Sequence, residues 1–197
     1  PQRAPAMFDL QLYEFCRAEP NLTLLLNTTV VAARVADGRI MDVTAVLFDI
    51  DGTLLDMRGA GRKSFVQSLK AVFGWDDDIS YINFAGNTDL NVLLQVAEHH
   101  RVKLTAEDQR RFFRRMPVEL EQNARNAQFI IYPGVRELLE TLSARKDVIL
   151  GLVTGNVAAA ARIKLQQGDL HNHVVLGAVG DAPADRPDIA RLALGRV

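Results

Sequence analysis

The run Ala45-Val46-Leu47-Phe48 is apolar without alternation, and it ends on Asp49-Ile50-Asp51-Gly52-Thr53. A short continuous apolar run predicts a parallel strand covered on both faces. In a parallel α/β sheet ligands bind at the carboxyl ends of the strands, so both carboxylates are expected in the site. Strand-like alternation turns Asp49 and Asp51 one way and Ile50 into the packing. Gly52 then permits a tight turn. Two acids this close repel one another, and a bound divalent cation is the simplest compensation. An Asp-Gly turn alone is common; the whole string VLFDIDGTLLD behind a parallel-strand pattern is far more specific.

The remainder of the chain repeats the theme. Val148 to Val153 is a second apolar run, preceded by VRELLETLSAR (135–145), which places Val135, Leu138, Leu139 and Leu142 on one helical stripe. The alanine-rich stretch from Val157 to Gln167 follows and stops at Gly168, a predicted C-terminal cap, and Val174 to Val179 is a third strand candidate. Strand, helix, strand, helix, strand predicts a doubly wound, Rossmann-like parallel sheet with its core in residues 43–58 and 130–197. Residues 59–129 form a long insertion with helical spacing at Arg62 to Phe73, Asp89 to His100 and Ala106 to Gln128. An all-helical insert between neighbouring strands is expected to be a cap over the strand ends.

Residues 1–42 read as an extension carrying no catalytic constellation: an amphipathic helix over 7–18, then strand-like runs on either side of Asp37-Gly38 that predict a β-hairpin. The segment EPNLTLLLNTTVVAARVADGRI resembles a piece of a FAD-dependent oxidoreductase, but lacks the GxGxxG that would hold a dinucleotide. The chain starts at Pro1, and Met41 opens MDVTAVLFDIDGTLL as though it began a separate protein. The expectation is a fragment or processed chain, with two unrelated gene pieces joined near residue 40.

Composition removes other classes. The 197 residues suit one Rossmann-sized domain or a small core with an inserted subdomain. Lys+Arg 23 against Asp+Glu 24 leaves a net charge of -1, so no overall basic field attracts nucleic acid or anionic lipid. Cys16 is the only cysteine, which excludes an intrachain disulfide framework and a multi-cysteine zinc site. No apolar run approaches the ~20 residues of a membrane span, and no signal segment is recognisable at the start. A soluble, cytoplasmic protein is expected.

At Asp49 to Leu54 the chain resembles the haloacid dehalogenase superfamily, whose first motif is DxDGT[LV], and specifically its phosphatase branch with a helical cap. The resemblance covers residues 41–197. It implies that Asp49 attacks phosphorus and becomes an aspartyl phosphate. Asp51 would protonate the leaving alcohol and later deprotonate the attacking water. Mg²⁺ would sit between the Asp49 carboxylate, the Asp51 carbonyl and the phosphate. Gly52 and Thr53 belong to the phosphate-binding turn. The family's second motif corresponds to Thr154-Gly155-Asn156, where a hydroxyl and adjacent amides at a helix N-terminus suit a phosphoryl oxygen; an ordinary N-cap is the plainer reading. Lys164 is the candidate for the third motif, neutralising Asp49 and phosphate, although it lies ~10 Å or more down its helix.

The fourth motif, GDxxxD, supplies further metal ligands, and Gly180-Asp181-Ala182-Pro183-Ala184-Asp185 matches its letters. Asp181 would coordinate Mg²⁺ and Asp185 would buttress the site. In the family that motif follows a strand beside the first, whereas VVLGAV counts as only the third. Either Asp181 and Asp185 serve, or the chain stops before the true motif; the strand count favours the latter.

Within the insertion, Gly86-Asn87-Thr88-Asp89 and Tyr132-Pro133-Gly134-Val135 resemble segments of phosphoglycolate-phosphatase-like proteins. Arg110, Arg111, Arg114 and Arg115 around Phe112-Phe113 read as a solvated face with an apolar anchor, and His99-His100 and His171-Asn172-His173 as surface histidines. The leading expectation is a Mg²⁺-dependent phosphomonoesterase acting on a small phosphorylated metabolite, phosphoglycolate being one candidate. A phosphomutase of the same superfamily and a catalytically incomplete, colourless fragment are the alternatives. A dehalogenase is disfavoured, because displacement at carbon needs neither Asp51 as an acid nor a metal.

Overall fold

A computed structural model describes residues 34–36, 39–42, 44–146 and 148–180. The helix expected over 7–18, Cys16, Asp181 and Asp185 lie outside the described residues. The sheet is α/β and parallel, as the apolar runs require. Its described strands are β3 (Thr44–Phe48), β6 (Val148–Val153) and β7 (Val175–Ala178), in the order β3-β6-β7. β3 and β6 run parallel with Ala45 opposite Ile149 and Phe48 opposite Leu152. β7 pairs with β6 and not with β3, so VVLGAV stands two strands from the strand that ends at Asp49. The hairpin expected around Asp37-Gly38 is present as β1 (Arg34–Ala36) and β2 (Arg39–Asp42), paired antiparallel.

Between β3 and β6 the chain adds two short strands, β4 (Leu55–Asp56) and β5 (Ile130–Ile131), and three helices, α1 (Ala60–Phe73), α2 (Asp89–His99) and α3 (Ala106–Asn126). α4 (Val135–Ser143) and α5 (Ala158–Gln167) flank β6. α3 starts on a capping box: the Thr105 side chain accepts from the Asp108 amide, and Asp108 reaches back to the Thr105 amide. α5 ends at Gly168 as expected, but the left-handed residue is Asp169 (φ 54°), while Gly168 stays right-handed.

Two apolar clusters divide the burial. One gathers Val46, Ile50, Leu54, Leu55, Leu139, Leu150, Leu152 and Leu165 around the sheet. The other gathers Phe65, Leu69, Leu93, Val96, Phe112, Met116 and Leu120 among α1, α2 and α3, with Val157 and Ala160 of the sheet side packed into it. Leu138 departs from its predicted stripe: it is 39% exposed while Val135, Leu139 and Leu142 are buried. On a nine-residue helix only one narrow strip can face the sheet, and Leu138 falls at its edge. Ile149 is likewise exposed, so β6 is not apolar-covered along its whole length. No described helix is long and apolar enough to cross a membrane.

Candidate active site

The turn after β3 is built on one carbonyl. Ile50 accepts hydrogen bonds from the amides of Thr53, Leu54 and Leu55, and Gly52 takes φ 78°, a left-handed conformation that costs glycine little. The Ile50 side chain is fully buried, which sets Asp49 and Asp51 on the opposite side, as strand alternation predicts. Asp49 is half-buried, and its Oδ1 accepts the Ile50 amide at 2.8 Å. Gly52 lies on the same cavity as both acids, whereas Thr53 is exposed and outside its lining.

Thr154 sits at the end of β6 with its side chain buried. Its amide donates to the Ala178 carbonyl, which extends the β6–β7 pairing one residue past the strand. Its hydroxyl oxygen accepts from the side-chain amide of Asn156 at 2.8 Å. The same Asn156 Nδ2 donates to Asp51 Oδ2 at 2.7 Å, and Asn156 Oδ1 accepts from Lys164 Nζ at 2.6 Å. These contacts fix which end of the Asn156 amide is oxygen.

Lys164 lies in the last turn of α5 with its side chain only 7% exposed. A buried ammonium needs an anionic partner, and Asp51 provides one: Lys164 Nζ lies 2.8 Å from Oδ1 and 2.6 Å from Oδ2. Side chains tilt toward the N-terminus of their helix, which carries the ammonium back over the rise that made its reach doubtful. The expectation set Lys164 against Asp49 and phosphate; the partners it grips are Asp51 and Asn156. The pair joins residues 113 apart in the chain. Gly180, the last described residue, donates its amide to the Asn156 carbonyl at 2.7 Å.

A cavity of about 520 Å³ opens over these groups. Asp49, Asp51, Asn156 and Lys164 line one wall, and Phe65, Phe84, Met116 and Leu120 of the helical layer line the other. The described residues contain no group of three or more His, Cys, Asp or Glu that could hold a metal ion. The cavity lining includes the aspartates Asp49, Asp51, Asp56 and Asp89, and carboxylate oxygens are hard donors of the kind Mg²⁺ prefers.

Two functional candidates escaped the sequence reading. Arg62 donates to the carbonyls of Ile79 and Ile82 and stacks 4.5 Å over the Phe84 ring, fixing the wall of the cavity. Its place at i, with Phe65 at i+3 and Leu69 at i+7, puts a cation on an apolar stripe, which is the signal that could have revealed it. Asp89, noted only as part of a string, meets the Thr154–Asn156 loop directly: its amide donates to the Gly155 carbonyl and its carboxylate accepts the Val157 amide, both at 2.8 Å. The histidine expectation also needs correction. His100 is half-buried, stacked 4.3 Å from Trp75 and 3.1 Å from Asp77, because the loop after α1 folds back onto the end of α2. The arginine cluster is exposed around buried Phe112, as expected.

Within the described sheet, a parallel strand ends on two aspartates beneath helices inserted directly after it, the α/β arrangement that places a site at the carboxyl ends of the strands. Residues 46–188 match the family model of haloacid dehalogenase-like hydrolases, well over half of the chain, and the chain belongs to that family. Among solved structures it resembles a hydrolase from Pseudomonas syringae (TM-score 0.60, 21% identity, covering 79% of this chain and 71% of that one). It also resembles CbbY from Rhodobacter sphaeroides in complex with phosphate (TM-score 0.61, 20% identity, 78% and 72%). A predicted phosphatase from Clostridium acetobutylicum is a third (TM-score 0.55, 20% identity, 78% and 70%). At these identities the likeness is one of fold. No curated protein matches the chain in sequence.

Proposed function

We propose that the chain is a Mg²⁺-dependent phosphomonoesterase that acts in the cytoplasm on a small phosphorylated metabolite, with residues 59–129 as its cap. The observation that carries this reading is the grip of Asn156 and Lys164 on Asp51, beside Asp49, at the floor of a cavity roofed by helices. Asp49 attacks phosphorus, and the bond to the leaving oxygen breaks as the aspartyl phosphate forms. Asp51 must enter the step protonated: it gives that proton to the leaving oxygen and, left as the carboxylate, takes one from the water that hydrolyses the intermediate. The Lys164 ammonium and Asn156 amide hold the Asp51 carboxylate in one orientation, so the proton is delivered at a fixed point. The Thr154 hydroxyl and the Gly155 amide are assigned to the phosphoryl oxygens, with Gly52 and Thr53 on the opposite turn.

The Asp49 carboxylate and Asp51 carbonyl would hold Mg²⁺, which supplies charge neutralisation on the phosphoryl group when bound. Asp181, with Asp185 behind it, is the remaining candidate for a third ligand. The order β3-β6-β7 weighs against it, since β7 is separated from Asp49 by β6. The neighbour CbbY has been crystallised with a sugar bisphosphate; the fold it shares is compatible with such a substrate here, and the cavity volume admits one.

The test is hydrolysis of p-nitrophenyl phosphate with and without Mg²⁺. Turnover should require the metal, and Asp49→Asn should lower kcat by about 10³-fold or more, because the substitution removes the charge of the attacking oxygen. Turnover that persists unchanged in Asp49→Asn would sink the reading.

A further inference from the structure

Val157 precedes α5 with an extended backbone and offers no side-chain cap of its own. The acceptor for its amide comes from elsewhere in the chain: Asp89 Oδ2 lies 2.8 Å away, from a residue 68 positions earlier at the first turn of α2. The neighbouring contact runs the other way, the Asp89 amide donating to the Gly155 carbonyl at 2.8 Å. The two backbones touch here. A Cβ placed on Gly155 would stand 2.3 Å from the Asn87 carbonyl oxygen, so only glycine lets the segment before α2 seat against this loop. Asp89 is therefore bonded to the residues on both sides of Asn156, the side chain that joins Thr154, Asp51 and Lys164.

We propose that Asp89 is a positioning residue: by bracketing Asn156 through Gly155 and Val157, it sets the Thr154–Asn156 loop in register with Asp51 when the helical layer is seated. The inference rests on the reading of that loop as part of the phosphatase site. Asp89 also has a plainer role as an acid in the first turn of α2, where its charge favours the helix dipole. The two roles need different things from the side chain. The dipole needs a negative charge, whereas the Val157 amide needs only an oxygen, which asparagine retains.

The experiment compares Asp89→Asn and Asp89→Ala by p-nitrophenyl phosphate kinetics and by amide hydrogen exchange at Val157. Asp89→Ala should lower kcat about tenfold or more, since small misplacements of a catalytic loop are costly. Asp89→Asn should stay within about threefold of the parent, because the acceptor survives. Exchange at Val157 should accelerate about tenfold or more in the alanine variant and little in the asparagine one. Gly155→Ala, which blocks the seating from the other side, should accelerate exchange at Val157 in the same way. Unchanged Val157 exchange in both Asp89→Ala and Gly155→Ala overturns the bracket, and so does an asparagine variant as impaired as the alanine one. If the parent hydrolyses no phosphate ester, the phosphatase reading fails while the exchange data still decide whether Asp89 positions the loop.

Discussion

The mouth of the sheet and the helical layer above it satisfy their polar groups in opposite ways. In the helical layer the ion pairs are mostly local: Arg110 with Glu107, Arg111 with Asp108 and Arg125 with Glu121, each within one helical turn. At the mouth, Asp51 meets Asn156 and Lys164 across 105 and 113 residues of chain. Local pairs on an exposed helix face form whenever the helix forms, and each contributes only a few tenths of a kcal/mol. Long-range polar contacts exist only after the fold has closed, and they bury a charge that needs its partner. Polar groups that the fold brings together at such a distance are where chemistry is to be sought.

Variants that separate stability from activity break or sharpen this contrast. The largest effect belongs to Asp51→Asn. It removes the proton for the leaving group and should lower kcat, measured per folded molecule, by about 10² to 10⁴-fold. Because it also takes the anionic partner from the buried Lys164 ammonium, the melting temperature should fall as well. The loss should be greater for an alkyl phosphate than for p-nitrophenyl phosphate, whose phenolate leaves without a proton. An equal loss on both substrates would count against Asp51 as the acid.

Phe112→Ala should act through packing instead. Phe112 is fully buried between Phe65 and Phe73, so its truncation should cost about 3–5 kcal/mol in denaturant unfolding. A loss below about 1 kcal/mol would mean that the helical cluster is not packed as described.

The smallest effect is a dependence on acid. Burial pushes the Asp77 carboxyl up, but hydrogen bonds from the Tyr81 hydroxyl, the Ile79 amide and His100 outweigh it and hold it below the usual 3.8. A depressed carboxylate stabilises the folded state above its unfolded value and loses that contribution as pH falls through its folded value. Thermal stability should therefore decline below about pH 4, and less steeply in Asp77→Asn than in the parent. Parallel declines would show that other carboxylates set the acid limit.

What the sequence disclosed follows the same division. The parallel strands, the helical insertion and the positions of Asp49 and Asp51 were legible, because they depend on hydrophobic period and on one contiguous string. The partner of Lys164 was not, since a helix position fixes how far a side chain reaches but not which of two neighbouring acids it meets. β4 and β5 were missed for a similar reason: Leu55–Asp56 and Ile130–Ile131 are two residues each, too short for any periodicity, and they exist only by pairing with one another. The burial of His100 depended on a loop returning to a helix end, and Leu138 fell just beyond a stripe whose width the sequence does not specify.

The β4–β5 pair has a consequence for how such a chain can vary. Leu55 stands opposite Ile131 and Asp56 opposite Ile130, so everything between them leaves and re-enters the sheet side through adjacent positions. A module spliced in at two touching points can be lengthened, shortened or exchanged with little displacement of the scaffold that receives it. The pair is a socket. The sheet scaffold and the helical module it receives can then diverge at separate rates within one polypeptide, the latter replaceable as a unit.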